Sequence, residues 1–237
     1  MRDALLTAAL APVLLPQGLW TRWRTPKLAE PPGARRGRRG SGAPLRLLVA
    51  GDSAAAGVGA ASQDEALLGC LVGRLAAARE VHFALEAKTG ATTAATIQRL
   101  QTLPAEHFDV AVLSLGVNDL VRIADVSRWL SLQAMLWSVL KSRFGVRQVI
   151  ASGLPPVHAF PALPQPLRWY LGARATRYDA ALARAAAAAD GVDFLDLRFT
   201  GDVGLMATDG FHPGPGVYAQ WAELAADAIL ARDGGPR

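Results

Sequence analysis

Three side chains in two distant blocks of the sequence could together perform nucleophilic catalysis. Ser53 lies in the block GDS and follows the apolar run LRLLVA, and His212 lies in the block DGFHP, three residues after Asp209. A serine hydroxyl becomes a useful nucleophile when a base such as histidine removes its proton. A carboxylate that accepts from the imidazole Nδ1–H fixes the tautomer that this requires. These residue types predict Ser53 as nucleophile, His212 as general base and acid, and Asp209 as the residue that orients the histidine.

Alternating apolar runs and helical patterns after Pro44 must position these side chains. Runs that are apolar throughout predict strands buried on both faces, at 45–50, 81–88, 109–115, 147–152 and 192–197. Helical patterns lie between and after them, at about 63–79, 94–103, 125–143, 166–189 and 214–232, with a break expected near Gly172. This alternation predicts a parallel sheet, whose functional site lies beyond the carboxyl ends of the strands. Ser53 should stand at that edge, near a helix N-terminus.

Four blocks occur in the order GDS, TGATT, GVND and DGFHP. With these blocks the chain resembles the GDSL/SGNH hydrolase family over about residues 45–233. The resemblance implies an α/β fold of the flavodoxin-like kind, a three-layer α/β/α arrangement around a central five-stranded parallel sheet. It implies that Ser53, Asp209 and His212 are catalytic. It further implies an oxyanion hole made by Ser53, Gly90 and Asn118, which agrees with the need for preorganised donors where negative charge develops.

Each of these residues also has a structural interpretation when taken alone. Ser53 could cap a helix, Asn118 could be a turn residue, and His212 could be a structural loop histidine. Asp52 and Asp119 are interpreted as hydrogen-bond partners of loop backbone rather than as acid catalysts. The four blocks in the family's order favour a carboxylic ester hydrolase. Acyl transfer or carbohydrate O-deacetylation by the same triad, and outside enzymes a non-catalytic membrane-surface module, are the alternatives.

A long proline-rich segment, LPPVHAFPALPQPLRWYL, covers residues 154–171 after the fourth predicted strand. Loops of this length are often functional, and this one should lie beside Ser53. We expect a substrate pocket walled by side chains of this segment: His158, Phe160, Leu163, Trp169 and Tyr170. The alternative is that they only pack against the body of the domain. An apolar wall favours a small-molecule or lipid ester with a fatty or aromatic acyl group over a bare sugar.

Residues 1–42 form an N-terminal segment whose charge differs from that of the rest of the chain. The segment holds eight basic and two acidic residues, a net charge of +6, whereas the remaining residues hold 17 basic and 18 acidic, a net charge of −1. The high isoelectric point therefore belongs to this segment, and no nucleic-acid partner is expected. Its apolar stretch, residues 4–20, is at the lower limit for spanning a bilayer, and Pro12 and Pro16 are expected to break a spanning helix.

The stretch WTRWRTPK that follows suits the headgroup zone of an anionic membrane. Attachment to such a surface, packing as an arm against the domain, and a secretory or spanning signal are the three alternatives for residues 1–42. The stretch AEPPGARRGRRGSGAP, residues 29–44, is predicted to be a solvated linker. Residues 43–237 are predicted to form the hydrolase domain. A cytoplasmic or peripherally membrane-associated location is favoured over secretion.

The cysteine content and the glycine spacing indicate no disulfide, metal ion or bound cofactor. The single cysteine, Cys70, excludes an intramolecular disulfide and a cysteine-based zinc cluster. The glycines after the first strand do not have the spacing of a dinucleotide-binding loop. No metal and no cofactor are therefore indicated, while the natural substrate and the oligomeric state are left open.

Overall fold

A central sheet carries the site, and five of the strands described below lie where the apolar runs predict them. The computed structural model describes residues 2–122, 125–201 and 203–233. The strands in this part of the chain are β1 (Arg36–Arg39), β2 (Pro44–Gly51), β3 (Glu80–Ala87), β4 (Val110–Ser114), β5 (Gln148–Ser152) and β6 (Val192–Leu195). Their order across the sheet is β1-β3-β2-β4-β5-β6. All neighbouring strands are parallel except β1, which is antiparallel to β3.

Helices cover both faces of the sheet. They are α1 (Arg2–Arg24), α2 (Leu67–Leu75), α3 (Thr93–Thr102), α4 (Val117–Arg122), α5 (Val126–Phe144), α6 (Leu167–Ala187) and α7 (Pro215–Asp233). One core packs the sheet against α3, α5 and α6, and the other packs it against α2 and α7. Because successive strand residues point to opposite faces, Leu48 and Ala50 enter the first core while Leu47 and Val49 enter the second. The predicted three-layer α/β/α fold is confirmed.

The sheet has one strand more than the sequence predicts, and this strand comes from the segment predicted to be a linker. β1 runs along the outer edge of β3, with Arg36 opposite Ala84. The Arg36 guanidinium donates to Glu86 at 2.9 Å and to Glu106 at 2.8 Å. Because these carboxylates lie far away in the sequence, composition alone assigns the arginine to solvent. The prediction of five strands, all parallel, is therefore wrong at this edge.

Three helical regions differ from their predictions. α6 runs through Gly172 without a break, because this glycine provides close packing: a Cβ there would lie 2.6 Å from the Cβ of His158. The helix predicted over 63–79 is reduced to a 3-10 turn at Gln63–Glu65 followed by α2. α4, which directly follows β4, was not predicted.

α1 is a continuous helix that contains both Pro12 and Pro16, so the predicted break does not occur. Both prolines are exposed, and the carbonyl groups that lose a donor can reach water there. α1 packs against the start of α6: Thr7 Oγ1 is 2.7 Å from Tyr170 Oη, and the Leu167 N–H donates to Gln17 Oε1 at 3.0 Å. None of the helices in the described residues has the length and apolar character needed to cross a membrane.

Candidate active site

Ser53, His212 and Asp209 form a hydrogen-bonded row at the carboxyl edge of the sheet. His212 Nε2 is 2.9 Å from Ser53 Oγ, and His212 Nδ1 is 2.6 Å from Asp209 Oδ2. The other carboxylate oxygen, Asp209 Oδ1, accepts from the backbone N–H groups of Phe211 at 2.9 Å and His212 at 3.0 Å. This geometry suits an imidazole that is protonated on Nδ1 and leaves Nε2 free to take the serine proton.

Burial and hydrogen bonding act in opposite directions on the pKa of Asp209. Its side chain is fully buried, and burial alone raises the pKa of the carboxyl. The hydrogen bonds from the His212 imidazole and from the backbone of His212 and Phe211 outweigh this effect and hold the pKa below its usual value. Asp209 is therefore charged at neutral pH, as is needed to stabilise the imidazolium that forms when His212 accepts a proton.

Ser53 stands just beyond β2, where the chain turns sharply. β2 ends at Gly51, whose φ is +155° and where a Cβ would lie 2.1 Å from the carbonyl oxygen of Ser114. Residues 53–59 then form consecutive hydrogen-bonded turns, in which the Val58 N–H donates to the Ser53 carbonyl at 3.0 Å. The predicted helix N-terminus beside Ser53 is therefore absent from this described segment, and the turns position the hydroxyl instead.

Asn118 reaches the site from α4, whereas Gly90 lies in the loop after β3. Asn118 Nδ2 donates to the Ala91 carbonyl at 3.0 Å, and its contact with Asp52 Oδ2, at 3.5 Å, is long for a hydrogen bond. The amide hydrogen that points to Asp52 is thus only weakly held and is available to a ligand. Gly90 is exposed with φ +78°, and its N–H has no acceptor within the described part of the chain. It does not line the cavity beside Ser53, and its role as an oxyanion donor stays a prediction.

We expect Asn118→Ala to lower kcat for ester hydrolysis by about 10²–10³-fold, because one donor to the oxyanion is lost. KM should change little, since the interaction forms mainly in the transition state. Asn118→Asp is the matched variant: it keeps the shape of the side chain but removes the N–H donor, and should be at least as slow. Steady-state kinetics on a soluble ester measure both variants. An Asn118→Ala enzyme with nearly wild-type kcat would contradict the assignment.

Asp52, which precedes the nucleophile, is buried among hydrogen-bond donors. Its Oδ1 accepts from the Ala54 N–H at 3.1 Å and from the Ser114 hydroxyl at 3.2 Å. Burial raises the pKa of Asp52 to about 6, and these hydrogen bonds offset only part of that effect. Asp119 is likewise buried and accepts from both the N–H and the hydroxyl of Thr93. Both contact sets fit the interpretation of these aspartates as partners of loop backbone.

The raised pKa of Asp52 predicts that the contribution of this carboxyl to the free energy of unfolding falls as pH rises from about 4 to about 6. In this interval the folded state still holds the proton that the unfolded state has released, so the stability contributed at low pH is lost. The loss should reach about 3 kcal/mol near neutral pH. Asp52→Asn removes this titration. Urea unfolding of both proteins across the interval measures the effect, and a difference in stability that does not vary with pH would contradict it.

A narrow cavity of about 60 Å³ opens beside the nucleophile. Polar groups at its rim include Ser53, Asn118 and His212. Its wall is mostly apolar, with side chains from the loops after β4, β5 and β6 and from α7: Leu115, Val117, Pro155, Phe160, Leu197, Met206, Phe211, Val217 and Trp221. An apolar cavity next to a nucleophile and a base suits the acyl part of an ester.

The proline-rich segment contributes less to this cavity than the sequence predicts. Among the five residues expected there, all of which the structure describes, Phe160 lines the cavity. Leu163 and Tyr170 are buried in the core beneath α6, and His158 and Trp169 are exposed. The prediction of a pocket role is wrong for these four, because the segment folds into a short 3-10 turn and the first turn of α6, which pack against the body of the domain.

Most of the wall lies beside the catalytic blocks or on α7. Val117 and Phe211 directly precede Asn118 and His212, so the two blocks themselves contain this signal. Val217 and Trp221 lie on successive turns of α7 and enter the site only through tertiary folding. Trp221 is fixed by a hydrogen bond from its Nε1 to the Ser152 hydroxyl at 3.1 Å. A local pattern therefore could reveal part of the wall but not the part from α7.

No group of His, Cys, Asp and Glu side chains within the described ranges could hold a metal ion. With its own side chains the arrangement can perform nucleophilic attack by a serine hydroxyl, coupled to proton transfer through a histidine. A model of the GDSL-like lipase/acylhydrolase family matches residues 49–220, well over half of the chain. The chain belongs to this family. The resemblance predicted from the four blocks is thereby confirmed.

Similar proteins were found both by sequence and by structure. The GDSL-like esterase Rv1075c of Mycobacterium tuberculosis is 29% identical over 197 residues, which cover 78% of this chain but 60% of the length of that relative. Among solved structures, a carbohydrate esterase family 2 enzyme with a carbohydrate-binding domain, from Corynascus thermopiles (Myceliophthora fergusii), aligns with a TM-score of 0.61 at 16% identity. That alignment covers 82% of this chain and 68% of that chain. TesA aligns with a TM-score of 0.58 at 24% identity, over 79% of this chain and 99% of that chain. These structures share the fold.

Proposed function

We propose that this chain is a serine hydrolase of carboxylic esters that acts through an acyl-enzyme on Ser53. The observation that carries the proposal is the row from Ser53 through His212 to Asp209, with contacts of 2.9 and 2.6 Å, at the rim of an apolar cavity. Ser53 Oγ attacks the ester carbonyl carbon while His212 Nε2 accepts the hydroxyl proton. The bond to the alcohol oxygen then breaks, and the alcohol leaves with the proton from His212.

A water molecule completes the reaction by the same route. His212 takes a proton from the water, whose oxygen attacks the acyl carbon, and Ser53 leaves with the proton. The Asn118 amide and the Ser53 N–H support the oxyanion in both steps, because each has a hydrogen with no strong acceptor in the described residues. Gly90 is the proposed third donor.

The cavity supports a preference for short acyl groups. One water molecule needs a cavity volume of about 10–15 Å³, so a cavity of about 60 Å³ holds roughly four to six groups of that size. Acetyl to butyryl groups fit this space. Longer chains must leave the cavity and lie against the protein surface, where less apolar area is buried per methylene.

A series of p-nitrophenyl esters from acetate to palmitate tests both proposals. We expect kcat/KM to be highest among the short esters, and we expect Ser53→Ala to be slower than wild type by roughly 10⁴-fold or more on each ester that the wild type hydrolyses. Val117→Leu adds one methylene to the cavity wall and should lower the rate on butyrate relative to acetate. Wild-type protein inactive on every ester would overturn the proposed activity, whereas a maximum at palmitate would overturn the preference for short chains alone.

Carbohydrate O-deacetylation is the second candidate, and it is favoured by a cavity that fits an acetyl group. A carbohydrate esterase is also among the structures that share the fold. Acetylated xylan, compared with p-nitrophenyl acetate, tests this candidate: faster release of acetate from the polysaccharide would support it. Adding a small alcohol to the same assay tests acyl transfer, because a transferase would form a new ester in place of free acid.

A further inference from the structure

α1 carries an apolar stripe on the side that faces away from the domain. Leu15, Leu19 and Trp23, spaced four residues apart on one helical face, are 67%, 71% and 82% exposed. Val13 and Trp20 flank them and are each 46% exposed. Large apolar side chains clustered on a surface mark an interaction site more often than single ones do. We call these five residues the outer stripe.

The outer stripe has no role in folding that the structure reveals. α1 is held to the domain by its other side, where Leu14 and Thr21 are buried and Gln17 accepts from the Leu167 N–H at 3.0 Å. These residues hold α1 against the domain without any contribution from the outer stripe. The five exposed side chains are therefore available to another surface.

Unpaired positive charges lie at the end of the outer stripe. Arg22, Arg24 and Lys27 are exposed and have no carboxylate within ion-pair distance in the described part of the chain. The Arg24 guanidinium lies over the Trp20 ring, 5.3 Å from its centroid. Tryptophan and arginine side by side suit the boundary between lipid headgroups and acyl chains. By contrast, the arginines of β1 that face the sheet are paired with glutamates.

We propose that the outer stripe docks α1 onto an anionic lipid surface. The helix lies in the plane of the interface, with the stripe among the acyl chains and the basic side chains at the phosphate groups. Charge complementarity selects this occupant over a second copy of the chain, because two copies would bring together two clusters of Arg22, Arg24 and Lys27, whose charges have no carboxylate partner in the described residues. A helix that does not span but presents one free apolar side is suited to this position.

Docking would also place the cavity near the membrane. α1 contacts Leu167 and Tyr170, and the same proline-rich segment, residues 154–171, also contains Phe160, which lines the cavity. An ester held at the interface would therefore meet the enzyme on the side where this wall lies. This consequence rests on the proposed function, whereas the binding itself does not.

Vesicle sedimentation with the full-length protein tests the proposal. We expect vesicles of phosphatidylcholine mixed with phosphatidylglycerol to bind at least roughly tenfold more tightly than phosphatidylcholine alone, and high salt to reduce the difference. The double variant Leu19→Ser, Trp23→Ser should lose roughly tenfold or more of the affinity for the anionic vesicles. Leu224→Ser is the matched control: this leucine is 40% exposed on α7, and its replacement should leave binding unchanged.

Two further readouts separate docking from folding and from catalysis. Thermal unfolding and turnover of p-nitrophenyl acetate should be the same in the double variant and the wild type. Both substituted side chains are exposed, and neither lines the cavity beside Ser53. Equal binding to neutral and anionic vesicles, or unchanged binding by the double variant, would overturn the proposal. So would a wild-type dimer that the double variant converts to monomer, because a second copy would then cover the stripe. Vesicle binding without ester turnover would overturn the proposed function and leave this inference standing.

Discussion

We expect Ser53→Ala to lower kcat/KM on p-nitrophenyl acetate by roughly 10⁴-fold or more, because the acyl-enzyme can no longer form. His212 and Asp209 remain in place, so the residual rate reports what the cavity and the oxyanion donors achieve with water alone. Initial rates over a range of substrate concentrations, all well above the enzyme concentration, give kcat/KM for both proteins. The folded state should be preserved, since the hydroxyl is bonded to His212 and removing it leaves no new charge in the site.

Two controls make this result specific to one hydroxyl. Ser142→Ala removes a hydroxyl on the exposed side of α5, bonded to the Ser138 carbonyl, and should have wild-type activity. A fluorophosphonate should add one mass label to wild-type protein, on the peptide that contains Ser53, and none to Ser53→Ala. Labelling of a different residue, or an active Ser53→Ala enzyme, would show that the nucleophile lies elsewhere.

We expect Asp209→Asn to lower kcat by roughly 10⁴-fold, although the side chain keeps its shape. The neutral amide no longer fixes the proton on His212 Nδ1, and it cannot stabilise the imidazolium charge. The imidazole can then carry its proton on Nε2, where it faces Ser53 and cannot act as a base. Pre-steady-state kinetics with p-nitrophenyl acetate should show that acylation is slowed.

Comparison with Asp209→Ala distinguishes catalysis from loop structure. The asparagine variant still offers an oxygen to the backbone N–H groups of Phe211 and His212, whereas the alanine variant leaves both donors without this acceptor. Both variants should be slow, but the alanine variant alone should show a marked fall in melting temperature. An Asp209→Asn enzyme that is as fast as wild type would reduce this residue to a structural role.

The catalytic row could be predicted from the sequence because its information is local. Each block follows an apolar run or precedes a helix, and parallel strands bring their carboxyl ends to one edge. Asp209 and His212 are three residues apart, so a single loop sets their contact. The distance from Ser53 to His212 then depends only on β2 and the loop before α7 lying at that common edge, which the strand pattern already implies.

The cavity wall and the edge strand could not be predicted in the same way, because their partners are distant in the sequence. Phe160 was expected at the wall, but Trp221 comes from a helix whose register no local pattern fixes. Trp169 has the composition of a pocket residue, yet the first turn of α6 points it to solvent. β1 pairs with β3 along the sheet, and Arg36 meets Glu86 and Glu106; none of these contacts is visible in a stretch that has the composition of a linker.

β1 determines where the chain can be shortened without harm. A protein that starts at Pro44, just after the predicted linker, would lose β1 and leave the outer edge of β3 unpaired. The backbone N–H and C=O groups of β3 would then form an open template for a strand of another molecule. Glu86, 8% exposed, would keep Arg99 but lose Arg36. β1 thus protects the edge of β3 from pairing with another molecule. A shorter expression product should begin before Glu30, because Glu30 pairs with Arg35 just before β1.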